Sequence, residues 1–504
     1  MTTNLPTQTR KNSMPPATSQ SSLSSIIKRS RDIMRKDAGL NGDTDRTPQL
    51  AWLLFLKAFD DLEDSRRVLD STYMSVIEAP YRWQDWASNS VTRRSGDALL
   101  SFVNTDLLPH LKDLTGSGQA GDPSQTVADI FKETRSRMLS GYLLADLVDE
   151  VNRINFASSD DIHTMAHFYE SMLREMRDAA GDAGEFYTPR PVVRFMVGRV
   201  DPQPGESVLD PAVGTGGFLV EAWDHLVTRA TTASARESLT GTMHGFEKKP
   251  MPYLLAQMNL LLHDVSRPQV TLGNALTSSI ADQRRNGVDV VLTNPPFGGA
   301  EEDSIKEYYP SDMQSAETSW LFLQSVMARI SKSPHGRAAV VVPNSVLFDT
   351  GIGGRIKKQL MKDFNLHTIV RLPNGTFAPY TLIPTNILFF ERGKTTDVWF
   401  YEHPLPEGRK NYTKTKPLRY EEFAPAEAWW GGPERKLRVE TAHAWRVAVA
   451  DVSATNFNLD LHNPNRPDDL EHQDPEVLLN EMIETERELL SILEGLRSDL
   501  GAQL

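Results

Sequence analysis

Seven short runs rich in β-branched residues, separated by stretches of helical periodicity, constrain the fold more than any other feature of this sequence. The runs are ESVLD (206–210), TMHGFE (242–247), QVTLGN (269–274), VDVVLTN (288–294), RAAVVVP (337–343), LHTIVRLP (366–373) and TNILFFER (385–392). Strands that alternate with helices form right-handed crossover units, so this pattern predicts an α/β fold with a mostly parallel sheet covered on both faces. The last two runs follow each other closely, which predicts an antiparallel pair at an edge of the sheet.

The regions on either side of this segment lack the strand pattern. Few strand-like runs occur in the first 200 residues, and DRTPQLAWLLFLKAFDDLED places Trp52 and Phe59 on one face of a helix, with Thr47 as its N-cap and Pro48 at its first position. We therefore predict five segments, namely a disordered N-terminus (1–23), a helical domain (24–165), an α/β catalytic domain (166–400), an irregular accessory region (401–470) and an amphipathic C-terminal helix (471–504).

Composition excludes several classes of protein. Of 504 residues, 39% are hydrophobic and 24% charged, as in ordinary globular proteins. No apolar run approaches the roughly 20 residues that span a bilayer, and the N-terminus lacks a signal-peptide core, so we expect a cytoplasmic protein without membrane contact. The chain has no cysteine, which excludes thiolate metal sites and a cysteine nucleophile. A net charge of -13 argues against a chain that coats nucleic acid by itself.

Three strand ends carry residues suited to a ligand, because ligands of open α/β sheets bind beyond the carboxyl ends of the strands. VLDPAVGTGGF places Asp210 at a strand end and Gly214 and Gly216 in the following loop, where glycine lets the backbone approach a ligand. Glu247 ends the second strand, where an acidic residue commonly accepts from ribose hydroxyls, and Asn274 ends the third, near the expected edge of an adenine ring. Without the Lys-Ser/Thr of a P-loop, the pattern favours a ligand with a cationic end and a ribose. The alternative interpretation of the glycine-rich loop is a plain strand-to-helix turn without a ligand.

The fourth strand ends in Asn-Pro-Pro-Phe, a sequence that suits an amine substrate. Asn294 supplies an amide oxygen and the carbonyl of Pro295 a second acceptor, and both can accept from the two N–H groups of an exocyclic amine. Such acceptors draw the nitrogen toward tetrahedral geometry and free its lone pair. Phe297 offers a ring on which a flipped base can stack. The alternative is a proline turn with a core phenylalanine.

These motifs together resemble a known family. DPAVGTGGF followed by NPPF about 75 residues later is similar to the amino-group DNA methyltransferases that act on adenine, and most closely to the modification subunits of Type I restriction-modification systems. The segments GEFYTPRPVVRFMV (184–197), ETSWLFLQSVMARI and VVVPNSVLF fit the same family. The resemblance implies a Rossmann-like methyltransferase core that uses S-adenosyl-L-methionine and no metal. The implied cofactor-binding residues are Tyr187, Thr188, Asp210, Gly214, Gly216, Glu247 and Asn274, and the implied catalytic residues are Asn294, Pro295 and Phe297.

One departure from the family concerns the third strand end. The family usually has Asp at this position, whereas this chain has Asn274, which can accept a hydrogen bond but carries no charge. Direct transfer of the sulfonium methyl group to the adenine N6 nitrogen fits a chain without cysteine, because methylation of a pyrimidine ring carbon needs a thiolate. The alternatives are a protein glutamine N5-methyltransferase and a catalytically silent interaction subunit of the same fold.

The resemblance also implies partners. They are double-stranded DNA, a specificity subunit, a second modification subunit and a restriction (motor-nuclease) subunit. About 70 residues, 400–470, are too few to read a bipartite site, so we expect sequence readout on the specificity subunit. The C-terminal helix either docks with that subunit or packs on this chain. The basic stretch GRKNYTKTKPLR (408–419) either contacts DNA phosphates or is a solvated loop, and GGRIKKQLMK (353–362) is predicted to be an exposed helix face.

Overall fold

The computed structural model describes residues 20–465 apart from 89–90, 92, 117–122, 155, 157–187, 266, 331, 379–380, 382 and 414, together with Ile483, Glu486 and Arg487. The predicted disordered residues 1–19, most of the predicted C-terminal helix and Tyr187 therefore lie outside the described residues. Among the described residues, no helix has the length and apolar character needed to cross a membrane.

The N-terminal part of the chain is helical, as predicted. Its helices are α1 (Gln20–Met34), α2 (Asp43–Leu69), α3 (Trp83–Trp86), α4 (Gly96–Ser101), α5 (Leu108–Lys112), α6 (Ser124–Lys132) and α7 (Gly141–Asn152), with a π-helical segment (Phe102–Leu107) between α4 and α5. Trp52 and Phe59 are fully buried on the predicted face of α2. The predicted start of α2 is wrong, because the helix already begins at Asp43 and Pro48 lies inside it, at the cost of one backbone hydrogen bond.

The remainder of the described chain alternates strands and helices. The strands are β1 (Val208–Asp210), β2 (Met243–Glu247), β3 (Gln269–Leu272), β4 (Val290–Thr293), β5 (Arg337–Pro343), β6 (Phe364–Arg371), β7 (Thr385–Arg392), β8 (Asp397–Glu402) and β9 (Ala444–Ala448). The helices are α8 (Arg190–Val200), α9 (Gly217–Arg229), α10 (Ala233–Glu237), α11 (Pro250–Leu262), α12 (Ile280–Arg285), α13 (Asp303–Lys306), α14 (Thr318–Ile330), α15 (Asn344–Phe348), α16 (Ile352–Asp363), α17 (Ala424–Trp429) and α18 (Val449–Ala454), and Tyr420–Phe423 forms a 3-10 helix. All seven predicted strands are confirmed.

The strands form one sheet in the order β3-β2-β1-β4-β5-β7-β6-β8-β9. Strands β1 to β5 pair in parallel, and β7 pairs antiparallel with both β5 and β6. The predicted antiparallel pair is confirmed, but its predicted position at the edge is wrong, because β8 pairs with β6 and β9 pairs with β8. Strand β9 comes from the predicted irregular region 401–470, and the predicted boundary at residue 400 falls inside β8.

Both faces of the sheet are covered. In β4, Val290 and Leu292 pack into the cluster that contains α8 and α9, whereas Val291 packs into the cluster that contains α14 and α16. This alternation follows from the period of two residues in a strand and gives the continuous apolar run of a doubly covered strand.

Helix α11 links the sheet to the helical N-terminal part. Ala256 and Leu260 pack with the sheet, whereas Leu255, Met258 and Leu261 belong to the core of the N-terminal helices. A helix that is apolar on most sides is expected between two cores. The N-terminal helices therefore pack on the helix that directly follows β2.

Helix α16 contains the basic stretch 353–362, as predicted. The prediction that this stretch forms an exposed helix face is only partly correct. Lys357 is fully buried, and its Nζ atom donates a hydrogen bond to the carbonyl of Leu347 at 2.5 Å. Burial lowers the pKa of Lys357 to about 8. The carbonyl at the end of α15 thus has a buried cationic donor.

Candidate active site

The candidate site lies where the direction of chain winding reverses. Strand β1 has β2 on one side and β4 on the other, so the connections after β1 and β4 diverge and leave a crevice at their carboxyl ends. We call this side of the sheet the carboxyl edge, and the opposite side the amino edge. Asp210 ends β1 and Asn294 follows β4, so the two residues flank this crevice.

Asp210 is buried and only half satisfied. Its Oδ1 atom accepts hydrogen bonds from the hydroxyl of Thr293 at 2.7 Å and the backbone N–H of Ala212 at 3.0 Å. Its Oδ2 atom is also buried but has no hydrogen-bond partner among the described residues. Burial raises the pKa of Asp210 to about 7, against the lowering effect of these two donors. The carboxylate therefore retains a free acceptor for a donor from a ligand.

The glycine-rich loop is held by Glu247 across the crevice. The backbone N–H of Gly214 donates to Oε2 of Glu247 at 2.9 Å, and that of Lys249 donates to Oε1 at 2.8 Å. Burial raises the pKa of Glu247, against the lowering effect of the backbone donors. Gly214 and Gly216 have φ values of 56° and 85°, which disfavour residues with a Cβ atom. These contacts join the loop that follows β1 to the end of β2.

Asn259 is a residue of this site that sequence reasoning missed. It lies on α11, is buried, and donates from Nδ2 to the carbonyl of Thr215 at 3.0 Å in the glycine-rich loop. The only signal in the sequence is an amide within the apolar run LLAQMNLLL. Because α11 also packs on the N-terminal helices, Asn259 connects that core to the loop.

Asn294 presents an amide oxygen that has no partner among the described residues. Its Nδ2 atom donates to the hydroxyl of Thr188 at 3.0 Å, which brings together two predicted site residues 106 positions apart. Its Oδ1 atom is buried and has no hydrogen-bond partner among the described residues. The following Pro295 is buried. Since buried polar atoms are normally paired, this oxygen is suited to accept from an N–H group of a substrate.

Phe297 is half-buried beside the same loop. Its ring lies 5.8 Å from that of Phe377, measured between centroids, at an angle of 77°. Phe377 is fully packed in the core, so it fixes the position of a ring that keeps part of its surface exposed. A fixed and partly exposed aromatic ring can stack with a base.

Asn274 makes a contact that the sequence did not predict. Its Oδ1 atom accepts from the backbone N–H of Leu276 at 3.0 Å, and its Nδ2 atom donates to Oε2 of Glu301 at 2.9 Å. The Nζ atom of Lys248 lies 3.2 Å from the same carboxylate oxygen. Glu301, which sequence reasoning missed, lines the same cleft as Glu247. The cleft is lined by Pro211, Ala212, Phe246, Glu247, Lys248, Lys249, Gly273, Asn274, Ala275, Pro296, Glu301 and Phe322.

The basic stretch 408–419 is partly neutralised. Arg409 and Arg419 lie 3.8 Å and 3.6 Å from Oε1 of Glu422, which is just outside the stretch. The hydroxyl of Tyr412 donates to the other oxygen of Glu422 at 2.6 Å, and the backbone N–H of Tyr412 donates to the carbonyl of Asn374 at 3.0 Å. The stretch therefore packs on the loop after β6 and presents fewer free charges than its sequence indicates.

Comparison with known proteins identifies the family. Residues 160–473 match the N-6 DNA Methylase family, and residues 23–151 match the HsdM N-terminal domain. The chain is 46% identical over 488 residues to the methylase subunit of the Type I restriction enzyme EcoEI of Escherichia coli, covering 96% of this chain and 98% of that protein.

Solved structures give the same result. A modification subunit of a type I restriction enzyme from Vibrio vulnificus YJ016 is 49% identical with a TM-score of 0.84, covering 91% of this chain and all of that one. A chain from a type I restriction-modification assembly is 40% identical with a TM-score of 0.72, covering 97% of this chain and all of that one. This chain therefore belongs to the N-6 DNA methylase family and, within it, to the methylase subunits of Type I restriction enzymes.

Proposed function

We propose that this chain transfers a methyl group from S-adenosyl-L-methionine to the N6 nitrogen of an adenine that is flipped out of double-stranded DNA. The observation that carries the proposal is the buried Oδ1 atom of Asn294, at the switch point of the sheet, which has no hydrogen-bond partner within the described part of the chain. An acceptor at this position meets the need of an amine nucleophile, whose N–H groups must be held while its lone pair attacks.

The residues of the crevice fit the cofactor. The Oδ2 atom of Asp210, which has no partner among the described residues, can accept from a donor of the ligand. Glu247 retains acceptor capacity because a carboxylate offers about four acceptor positions and backbone N–H groups of Gly214, Lys248 and Lys249 occupy three of them. Phe246 and Phe322 provide apolar walls for a purine ring in the cleft beside Glu247. S-adenosyl-L-methionine, when bound, supplies an electrophilic methyl group on a sulfonium ion.

The remaining groups position the target base. Thr188 accepts from Nδ2 of Asn294, so Oδ1 of Asn294 is directed toward the substrate. The carbonyl of Pro295 supplies the second acceptor for the amino group, and Phe297 stacks on the base and offsets part of an unstacking cost of a few kcal/mol. As the methyl–nitrogen bond forms, the methyl–sulfur bond breaks to leave S-adenosylhomocysteine. The N6 nitrogen, positively charged after transfer, loses one proton to solvent water, because the neutral amide and carbonyl oxygens can hold its N–H groups but are too weakly basic to keep a proton. Tyr187 is proposed to close over the cofactor on the family resemblance alone.

The assembly follows from the family. We infer that the chain acts with a specificity subunit, a second modification subunit and a restriction subunit. Residues 471–504 would dock on the specificity subunit through the stripe of Leu478, Met482, Leu489, Ile492, Leu496 and Leu500. Deletion of these residues should leave a folded chain that binds cofactor and no longer co-purifies with the specificity subunit. Aggregation of the truncated chain would contradict this docking.

The basic stretch 408–419 is proposed to contact DNA phosphates through Lys410 and Lys416, which form no ion pair among the described residues. Lys410→Gln combined with Lys416→Gln should weaken DNA binding by the assembled complex equally for all sequences and flatten its dependence on salt concentration. Replacement of Arg409, which lies near Glu422, should have less effect. Unchanged salt dependence in the lysine variant would assign the stretch to a solvated loop.

The decisive experiment uses a tritiated methyl donor. The chain with its specificity subunit should label adenine in duplex DNA, and the isolated chain should label DNA weakly or not at all. Labelling of a release-factor protein instead of DNA would indicate a glutamine methyltransferase. Absence of labelling with any acceptor, together with absence of cofactor binding, would indicate a silent subunit.

A further inference from the structure

Glu301 is a carboxylate in the cofactor cleft that neither the sequence motifs nor the family match assign. It follows Phe297 by four residues, and its side chain is 9% exposed. Its Oε2 atom accepts from Nδ2 of Asn274 at 2.9 Å and lies 3.2 Å from Nζ of Lys248. Its Oε1 atom has only Lys248, at 3.4 Å, as a partner among the described contacts. An ionised carboxylate offers about four acceptor positions, so Glu301 can accept at least one further hydrogen bond.

The amide of Asn274 is oriented by its neighbours. The backbone N–H of Leu276 holds Oδ1 at 3.0 Å, which directs Nδ2 toward Glu301. Asn274 therefore presents a donor to Glu301, and this donor stabilises the ionised carboxylate. An aspartate at position 274 could not donate and would repel Glu301. The asparagine that departs from the family pattern is thus matched to a carboxylate contributed by another loop.

The backbone around Glu301 is held in place. The N–H of Glu301 donates to the carbonyl of Ala316 at 3.2 Å, and the hydroxyl of Thr318 donates to the carbonyl of Gly299 at 3.1 Å. Ala300 also forms a β-bridge with Glu317. A carboxylate on an anchored loop is preorganised for a ligand.

We propose that Glu301 is the acceptor for the exocyclic amino group of the cofactor's adenine, with Asn274 as the residue that orients it. This inference rests on the proposed use of S-adenosyl-L-methionine and deepens it. The carboxylate selects a 6-amino purine, because an acceptor cannot hydrogen-bond to the 6-oxo group of a hypoxanthine ring. Since Glu301 lies on the loop that carries Asn294 to Phe297, the same loop would contact both the cofactor and the target base.

Binding of two product analogues tests this assignment. Isothermal titration compares S-adenosylhomocysteine with S-inosylhomocysteine, in which an oxo group replaces the 6-amino group. The unmodified chain should prefer the adenosyl compound by about ten- to a hundredfold, as expected for a hydrogen bond to a charged group. Glu301→Gln should reduce this preference to less than about threefold, because its amide can donate to the oxo group. Glu302→Gln removes the same charge from an exposed neighbour and should leave the preference unchanged.

A second variant distinguishes the proposed role of Glu301 from that of Asn274. Asn274→Asp should weaken binding of the adenosyl compound by about tenfold, because two carboxylates then face each other. If Asn274→Asp binds as tightly as the unmodified chain and Glu301→Gln keeps the full preference, position 274 is the direct acceptor and the inference is overturned. If the unmodified chain binds neither analogue, the proposed cofactor itself is wrong and the inference falls with it. Binding of the adenosyl compound by the unmodified chain, with loss of selectivity only in Glu301→Gln, supports both.

Discussion

Two aspartates at opposite edges of the sheet have opposite pKa shifts. Asp289, which precedes β4 at the amino edge, accepts from the backbone N–H and hydroxyl of Ser207 at 2.9 and 2.8 Å and from the hydroxyl of Ser333 at 2.6 Å. Burial raises the pKa of Asp289, but these donors and the charge of Arg337 outweigh it, so the pKa is lowered overall. Asp210 at the carboxyl edge receives described donors on one oxygen only, and burial raises its pKa to about 7.

We infer from this difference that unsatisfied acceptors mark the candidate site better than cavity volume does. A cavity of about 660 Å³ lies at the amino edge and is lined by Arg337 and Glu206, among others. Arg337 donates to both carboxylate oxygens of Glu206, at 2.8 and 2.6 Å, and to the carbonyls of Val200 and Asp201 at 2.7 and 2.8 Å. Its charge is already satisfied within the protein. At the carboxyl edge, Asp210 and Asn294 each keep one buried oxygen without a described partner.

The largest effect is expected from substitution of Asn294, because its buried Oδ1 atom is the proposed acceptor for the target amine. Asn294→Ala should lower the rate of methyl transfer by roughly 10²- to 10⁴-fold, the range for loss of a group that acts in the transition state. The affinity for cofactor, measured by isothermal titration, should change by less than about threefold if binding depends on other residues. Asn286→Ala, at an exposed asparagine after α12, is the control and should leave the rate unchanged.

Substitution of Asp210 should have a smaller effect, and this effect should be on the affinity for cofactor. Asp210→Asn should weaken binding by about ten- to a hundredfold, since a hydrogen bond to a charged group is lost. Donors of the ligand favour the ionised carboxylate, so affinity in the unmodified chain should rise by about tenfold between pH 6 and pH 8, through the raised pKa of about 7. The Asn variant should show no such rise in titrations across this range. A flat profile in the unmodified chain would remove Asp210 from the binding site.

A substitution at the amino edge should lower the stability of the protein and leave its affinity for cofactor unchanged. Asp289→Asn should lower the free energy of unfolding at pH 7 by about 1–3 kcal/mol, because an NH2 group, itself a donor, replaces one of the two oxygens that accept from the three donors. The lowered pKa of Asp289 gives stability that is present above the pKa of about 3.9 of an unfolded aspartate and is lost as pH falls through the folded value. The gap between variant and unmodified chain in denaturant titrations should therefore narrow below about pH 4. A large loss of cofactor affinity in the folded variant would contradict the division between the edges.

The smallest expected effect concerns Thr188. Thr188→Val removes the acceptor that orients the amide of Asn294 but keeps the volume of the side chain. The rate of methyl transfer should fall by about two- to tenfold, as expected for one neutral hydrogen bond, with cofactor affinity little changed. Thr188→Ser should restore the rate, which separates the hydroxyl from packing of the methyl group. An equal loss in both variants would show that Thr188 acts by packing.

The sequence by itself determined the local elements of this protein. Strands with a period of two and helices with a period near 3.6 are properties of neighbouring residues, so all seven predicted strands and the helical N-terminal part could be recognised. The glycines at positions 214 and 216 could also be recognised, because only a residue without a Cβ atom adopts their positive φ at no cost. The order of motifs along the chain was sufficient for the family resemblance.

Only the tertiary structure decided how distant residues meet. The contact of Thr188 with Asn294, the position of β7 between β5 and β6, and the burial of Lys357 depend on pairings between segments far apart in the chain. Local periodicity carries no information on which strands become neighbours or which charged side chain is buried. Glu301 is the clearest case, because nothing in GGAEED distinguishes it from Glu302 until Asn274 of another loop donates to its carboxylate.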